Sequence, residues 1–482
     1  MKKNERSPYN EKQLYAWFLL LLYRVRDGWL LCTRLGQLIW QRPIGHDIHR
    51  RFCCKMRAVD FLYLRKGWKP MKYGCIGEHL PHSFSKEIHA YLNTRDYTLR
   101  ELAATELDGF FAKRDFCGIN VTIPYKKAVI PYLDEIDSTA ERIGAVNTIV
   151  NRDGRLCGYN TDFGGMRALM MREGIDPLGK KVLVLGAGGT SGTAVAVAEA
   201  MGATEILTVS RTARGGAILY EDACEKHADA EIIINTTPCG MYPNPDGVPI
   251  DISRFFALCG VVDAVYNPIR TTLVSNARRL GIPAVGGLYM LVAQAVLASA
   301  LFTDAQYGEG VTEEIYQKIL AQKQNIVLIG MPGSGKTTVG RFIASACGRE
   351  LIDTDSQIVE RSGMEIGEIF SRYGEAHFRR LEREAVREAA ARSGCVIATG
   401  GGAILAQENV EALQKNGKLY FLDRPLEELI PTEDRPLAST VEAIQKRYRE
   451  RYTRYVTCAD EHIKTLGKAK LTAEEIIRRH EG

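Results

Sequence analysis

Two glycine-rich runs stand where apolar, strand-like segments give way to helical ones. Gly330-Met331-Pro332-Gly333-Ser334-Gly335-Lys336-Thr337 follows Asn325-Ile326-Val327-Leu328-Ile329 and satisfies GxxxxGK[ST] in full. In such a loop the N–H groups of Gly333, Ser334 and Gly335 wrap nucleotide phosphates and Lys336 neutralises their charge. The Thr337 hydroxyl, with Thr338 beside it, stands where magnesium would be reached. Upstream, the buried-strand run Lys180 to Leu185 flows into Gly186-Ala187-Gly188-Gly189-Thr190-Ser191-Gly192 and an Ala/Val-rich segment read as a helix from Thr193 to Met201. A turn of this kind lets the backbone approach a pyrophosphate at a helix N-terminus, although the third glycine falls one place late, at Gly192. The next strand, Glu205 to Val209, runs into Ser210-Arg211-Thr212 with Arg214 beyond. Cations at that strand end, in place of a ribose-binding acid, predict NADP rather than NAD.

Other polar residues sit where packing gives them no role. Ser83 and Ser85 flank Phe84, so an extended stretch would face both hydroxyls one way. Asn120-Val121-Thr122-Ile123-Pro124-Tyr125-Lys126 alternates similarly, sending Asn120, Thr122 and Pro124 to one side before a turn delivers Lys126. Ala145-Val146-Asn147-Thr148 and Asn160-Thr161-Asp162 read as amide-rich strand ends. In the last third, Asp353-Thr354-Asp355 ends a strand with both carboxylates on one side. Phe378-Arg379-Arg380-x-Glu382, Gly400-Gly401-Gly402, Arg435-Pro436-Leu437 and Arg451-x-x-x-Tyr455 then follow in order.

The chain has 482 residues, 45% hydrophobic and 25% charged, which fits several globular domains and excludes wholesale disorder or a polytopic membrane protein. Twelve cysteines without a CxxC pair suit a reducing, cytoplasmic compartment. Residues 1–70 hold fifteen Lys or Arg against five Asp or Glu, a local +10, so the overall +5 leaves −5 on residues 71–482. A nucleic-acid-binding body is not expected from that balance. All four tryptophans also fall in residues 1–70. Their longest apolar run, Leu14 to Tyr23, is too short to span a bilayer, which needs about 20 residues. This segment is read as a basic, Trp-rich extension of unknown role with Met71 as an alternative start; lying on an anionic membrane surface is the rival reading.

Ser-x-Ser, NVTxPxK, AVNT, NTD, GAGG, Asn235-Thr236-Thr237-Pro238-Cys239-Gly240-Met241 and Met290-Leu291-x-x-Gln294 occur in the order of shikimate dehydrogenases, which residues 71–305 resemble. The resemblance implies that Ser83 and Ser85 bind a substrate carboxylate and that Lys126 and Asp162 form the catalytic pair. It also implies that Thr122, Asn147, Tyr266 and Gln294 hold ring hydroxyls. A lysine ammonium held by a carboxylate suits ketone reduction, because it polarises the oxygen and donates its proton. Gly186, Ala187, Gly188, Gly189, Thr190, Ser210, Arg211, Thr212, Arg214 and Gly287 are the expected NADP contacts. Lys86 replaces the usual proline after Ser85, and Ala90 the usual asparagine after His89, which leaves quinate as a rival substrate.

Residues 324–482 resemble shikimate kinases. That resemblance implies Asp355 near the attacking oxygen and Asp353 near magnesium. Arg379 and Arg451 would grip a carboxylate, Gly400–Gly402 would admit substrate to the backbone, and Arg435 would stand near the transferring phosphate. The 425–434 lid is short and acidic, with Glu427, Glu428, Glu433 and Asp434 and no basic residue.

The expected organisation is α/β throughout. A substrate domain (71–167 with 288–306) carries an inserted Rossmann NADP-binding domain (168–287), and a linker (306–323) with a helical patch from Thr312 to Lys323 leads to a P-loop kinase domain (324–482). The implied small molecules are 3-dehydroshikimate, shikimate, NADP(H), ATP and Mg2+, with no nucleic-acid or membrane partner, in a monomer or homodimer. A nucleotide-sensing regulatory protein is the rival from another class; it would be expected to lose Lys126, Asp162, Lys336 or Asp355, all of which are present.

Overall fold

The computed structural model describes residues 71–80, 83–429, 441–465 and 467–482. The basic segment 1–70, with its extension and membrane-surface readings, and Arg435, Glu433 and Asp434 lie outside the described residues. No described helix is long and apolar enough to cross a membrane.

Three sheets carry the chain. The first is built from β1 (Tyr73–Gly77), β2 (Tyr97–Glu101), β3 (Gly118–Val121), β4 (Glu135–Ile136), β5 (Thr148–Arg152) and β6 (Arg155–Tyr159), in the order β2-β1-β3-β5-β6-β4. Its helices are α1 (Ser85–Ala90), α2 (Leu107–Lys113), α3 (Ser138–Ile143) and α4 (Thr161–Arg172). β1 and β3 are parallel, whereas β5 is antiparallel to both β3 and β6. The start of β5 therefore meets the ends of β3 and β6, with Asn120 opposite Thr148 and Thr148 opposite Tyr159. This register gathers the polar residues of four separate segments on one edge of the sheet.

The second sheet is wholly parallel: β7 (Lys181–Leu185), β8 (Glu205–Ser210), β9 (Ile218–Leu219), β10 (Ile232–Asn235), β11 (Gly260–Asp263) and β12 (Ala284–Val285), ordered β12-β11-β10-β7-β8-β9. That is the doubly wound dinucleotide-binding order, with its crevice beyond the carboxyl ends of β7 and β10. The β-branched run Ile232-Ile233-Ile234 is fully buried because α5 (Gly189–Ala200), α6 (Tyr220–Lys226) and α7 (Thr272–Arg279) belong to a sheet covered on both faces. α8 (Leu288–Thr303) then returns and packs on α4. α4 itself runs on to Arg172, through the 167/168 boundary drawn from sequence.

α9 (Val311–Lys323) occupies the expected linker, and it is a packed element. Ile315 and Ile319 are buried in one core with Phe84, Ile88 and Val292. Arg172 reaches Glu313 at 2.7 Å and lies 4.8 Å from the Tyr316 ring. The third sheet follows, again parallel: β13 (Asn325–Ile329), β14 (Leu351–Asp353), β15 (Val396–Ala398), β16 (Gly417–Asp423) and β17 (Glu461–Lys464), ordered β14-β15-β13-β16-β17. Its helices are α10 (Lys336–Cys347), α11 (Thr354–Ser362), α12 (Ile366–Ala391, kinked at Gly374), α13 (Gln407–Asn416), α14 (Val441–Cys458) and α15 (Ala469–Glu481).

α15 closes this last sheet with a buried histidine. His480 Nε2 donates to the Ala321 carbonyl at 3.0 Å, so Nδ1 accepts from the Tyr420 hydroxyl, also at 3.0 Å. Burial holds the His480 pKa down at about 4. The unfolded chain takes up a proton near pH 6.5 that the folded chain refuses. Stability from this group is therefore full above that pH and lost as pH falls toward 4. Asp263 acts oppositely, because burial raises its pKa to about 6 and folding is penalised increasingly as pH rises through its unfolded value of 3.8. Urea midpoints followed from pH 6.5 down to 4 are expected to fall less steeply for His480→Gln than for the parent. The difference is about 1.4 kcal/mol per pH unit for one proton, and parallel curves would refute the assignment.

Candidate active sites

The first site lies where the edge of the first sheet faces the crevice of the second. After β3 the chain turns at once: Thr122 N–H bonds Ile76 O at 3.0 Å and Tyr125 N–H bonds Thr122 O at 2.9 Å. The alternation expected through Pro124 thus stops at Val121, and only Asn120 belongs to the strand. The turn delivers Lys126, whose Nζ donates to Asp162 Oδ2 at 2.6 Å, with the two side chains only 14% and 10% exposed. Asp162 sits in the first turn of α4, where unpaired N–H groups favour a carboxylate. Asn160, read as part of a strand end, caps that helix by accepting from Phe163 N–H at 3.2 Å.

Asn147 is held in place by its neighbours. Its Oδ1 accepts from Thr161 N–H at 2.7 Å and its Nδ2 donates to Thr161 Oγ1 at 3.0 Å. Gln294, on α8, donates to Leu291 O at 2.8 Å and accepts from Thr161 Oγ1 at 3.5 Å. Asn120, given no role from sequence, lies behind them and donates to Thr148 Oγ1 at 3.1 Å while accepting from Tyr97 OH at 2.6 Å.

The two serines do come together, by a different geometry from the one expected. Phe84 has φ −87° and ψ 1°, and Ser85 already opens α1, so the stretch is a helix entry rather than a strand. Ser83 Oγ accepts the Ser85 N–H at 3.3 Å, which brings the hydroxyls to 3.1 Å. Tyr266 packs edge-on against Phe84, ring centroids 5.3 Å apart, and burial pushes its phenol up to about 12.

Opposite these residues stands the glycine turn. Gly189 and Thr190 are helical, because α5 begins four residues earlier than predicted, with Gly188 as its extended N-cap. Gly186 has φ +110°, a conformation that favours glycine. A methyl group placed on Gly189 would lie 3.5 Å from Lys126 Cβ, so the helix N-terminus and the Lys126–Asp162 pair share one cleft. Ser210 Oγ accepts the Thr212 N–H at 3.2 Å at the end of β8, and Arg211 and Arg214 are exposed there. Neither arginine makes an ion pair among the described residues. Gly287 caps α8, packed against Ala264 O.

The second site is a cavity of about 950 Å³ at the carboxyl edge of the third sheet. Gly335, at φ +90°, opens α10, and Lys336 curls back so that Nζ donates to Gly330 O and Met331 O, each at 2.9 Å. Asp353 is the last residue of β14 and caps α11, its Oδ1 accepting from Asp355 and Ser356 N–H at 3.1 Å. Its Oδ2 takes the Thr337 hydroxyl at 2.6 Å. The strand thus ends before Asp355, which reaches the cavity from the first turn of α11.

The glycine triplet explains itself by contact. A methyl group on Gly400 would sit 2.5 Å from Asp355 Oδ1, and one on Gly402 would run into the Arg379 guanidinium. Arg451 donates to Gly401 O at 3.1 Å, and Tyr455 OH bonds the same carbonyl. Sequence reasoning gave Glu382 no role, yet it is 1% exposed and bonds Arg379 at 2.8 Å. Burial raises its pKa, with Asp355 adding to the effect and Arg379 opposing it. The three-residue helical spacing from Arg379 was the available signal. Arg447 also lines the cavity, as does Arg424 immediately before the acidic lid segment.

Residues 75–149 match the family model of the shikimate dehydrogenase substrate binding domain, and residues 332–481 match that of shikimate kinase. A shikimate dehydrogenase (NADP(+)) of Clostridium perfringens is 35% identical over 273 residues, which span 51% of this chain and 97% of the relative. The chain belongs to the shikimate dehydrogenase family. Fused behind this dehydrogenase part is the shikimate kinase domain. A second dehydrogenase of the family, from Geobacillus sp., is 41% identical over 209 residues, or 39% of this chain and 75% of the relative. A solved shikimate 5-dehydrogenase from Thermus thermophilus, in complex with NADP(H) and shikimate, is 30% identical, with 52% of this chain and 99% of that chain covered and a TM-score of 0.46.

Proposed function

We propose that this chain reduces 3-dehydroshikimate to shikimate with NADPH and then phosphorylates shikimate with ATP and magnesium. What carries the proposal is the 2.6 Å Lys126–Asp162 contact beside the dinucleotide turn, in the same chain as a P-loop cavity whose lining includes Arg379, Arg451 and Asp355.

NADPH, when bound, would be the hydride source for the ketone carbon. Lys126 Nζ, held by Asp162, donates a hydrogen bond to the ketone oxygen and transfers its proton as that oxygen becomes a hydroxyl. The paired Ser83 and Ser85 hydroxyls hold the acid's carboxylate, while Thr122, Tyr266 and the Asn147–Gln294 side orient the ring. Arg211 and Arg214 fit a ribose 2′-phosphate because both guanidiniums are exposed at the strand end without a carboxylate partner in the described residues.

In the kinase half, Arg379 and Arg451 take the carboxylate of shikimate and Asp355 accepts the proton of the attacking hydroxyl. The loop N–H groups and Lys336 meet the ATP phosphates. Thr337 and Asp353, two hard oxygen donors 2.6 Å apart, would hold magnesium, which would supply positive charge against the charge on the phosphates. We assign Arg435 to the nucleotide side on the resemblance alone.

Supplying 3-dehydroshikimate, NADPH, ATP and magnesium to the purified chain tests both halves. Shikimate 3-phosphate is the expected product by mass. Shikimate alone would refute the kinase half, and no NADPH oxidation would refute the dehydrogenase. Arg211→Ala is expected to raise the KM for NADPH about ten- to hundredfold, the value of a charge-assisted hydrogen bond, and to leave the KM for NADH unchanged. Equal effects on both cofactors would remove Arg211 from the 2′-phosphate site.

A further inference from the structure

The dehydrogenase and kinase parts meet through buried polar contacts that centre on the loop carrying Tyr266. That loop, residues 264–271, leaves β11 and is tied at its base by Asp263, which accepts from Val265 N–H at 3.0 Å and from the Thr271 hydroxyl at 2.7 Å. Its far side is tied from the kinase. Asn416 Oδ1, at the end of α13, accepts the Ile269 N–H at 3.0 Å, and the Lys415 carbonyl accepts the Arg270 N–H at 2.9 Å. Ile269 and Arg270 closely follow Tyr266 in the same loop.

Asn416 is 1% exposed; its Oδ1 and one Nδ2 hydrogen bond reach across the junction, and its other Nδ2 hydrogen bond stays within the kinase part. Its Nδ2 donates to the Tyr242 hydroxyl at 3.1 Å and to the Ala390 carbonyl at 3.3 Å. The Tyr242 hydroxyl donates in turn to Ala390 O at 3.3 Å, and Lys415 Nζ pairs with Asp246. One kinase amide thus binds two dehydrogenase loops, 236–247 and 264–271, to the C-terminal end of α12. A buried amide with every group satisfied defines one geometry, since any displacement leaves a polar atom unpaired in a dry environment.

We propose that Asn416, in the kinase part, is a positioning residue of the dehydrogenase: by holding Ile269 it sets where the Tyr266 hydroxyl stands against the substrate. This rests on the assignment of Tyr266 to substrate binding made above. The kinase domain then contributes to dehydrogenase substrate affinity without touching the substrate. Tethering a loop before binding lowers the ordering cost paid on binding, so the effect falls on KM rather than kcat.

The test is a double-mutant cycle in the full chain, with steady-state kinetics of both activities. Asn416→Ala is expected to raise the KM for 3-dehydroshikimate about three- to tenfold, the value of one neutral hydrogen bond, with kcat within about twofold. In a Tyr266→Phe background the same substitution is expected to add nothing, because the hydroxyl it positions is gone. Tyr242→Phe, made on the dehydrogenase side, is expected to act in the same direction with kinase kcat and KM unchanged, and it replaces Asn416→Ala if that variant does not fold. An unchanged KM in the single variants, or an equal rise in both backgrounds, overturns the proposal. Tyr266→Phe without effect on KM instead refutes the assignment of Tyr266 itself.

Discussion

A Lys126→Met chain is expected to oxidise NADPH on 3-dehydroshikimate about 10²–10⁴-fold more slowly than the parent, the usual contribution of a positioned general acid, while its kinase turnover stays unchanged. The size of the effect follows from burial. Lys126 and Asp162 are largely withdrawn from water, so bulk solvent is a poor substitute for the lysine's proton. Asp162→Asn should lose a similar factor, because the ammonium would then lack the partner that aims it. The two substitutions together are expected to cost little more than either alone, as for residues acting as a unit. Measured kcat values that fall by less than about tenfold, or two losses that multiply, would show that the proton comes from elsewhere.

Asp355→Asn is expected to lower shikimate phosphorylation by about 10²–10⁴-fold and to leave the dehydrogenase rate untouched. Asp355 enters the cavity from a helix start, faces Gly400 with no room for a side chain between, and lies close enough to Glu382 to help raise its pKa. Asparagine keeps the shape and removes the base, so ATP and shikimate should still bind. A variant with normal kcat would assign Asp355 to orientation alone. A variant that instead loses shikimate affinity with little change in kcat would move the role of proton acceptor to another group.

Much of the fold could be read from patterns with short range. The apolar runs read as strands, Lys180 to Leu185 and Asn325 to Ile329, are buried strands in the structure, because a parallel sheet covered on both faces needs unbroken apolar runs. The P-loop and the glycine turn are local motifs whose spacing is their geometry. What the patterns mistook were boundaries between strand and helix. Ser85, Asp162, Gly189 and Asp355 all proved to be first-turn helical residues, each read as a strand end or turn. Short polar side chains suit both states, and only the packing of the following helix decides between them.

The sequence by itself determined the α/β class, the two phosphate-binding turns and the two sets of motifs, since each depends on residues within about a dozen positions of one another. Tertiary structure decided the rest. The antiparallel β5 brings Asn147 to the edge shared by Lys126 and Asp162, and sheet register is a long-range property. Arg447 and Glu382 became cavity residues only when α12 and α14 packed around the glycine triplet. The helical patch read within the linker became part of a core because Ile315 and Ile319 found the face of α8. The grip of Asn416 on Ile269 joins residues 147 positions apart, and its worth comes from burying a satisfied amide, which no local pattern records.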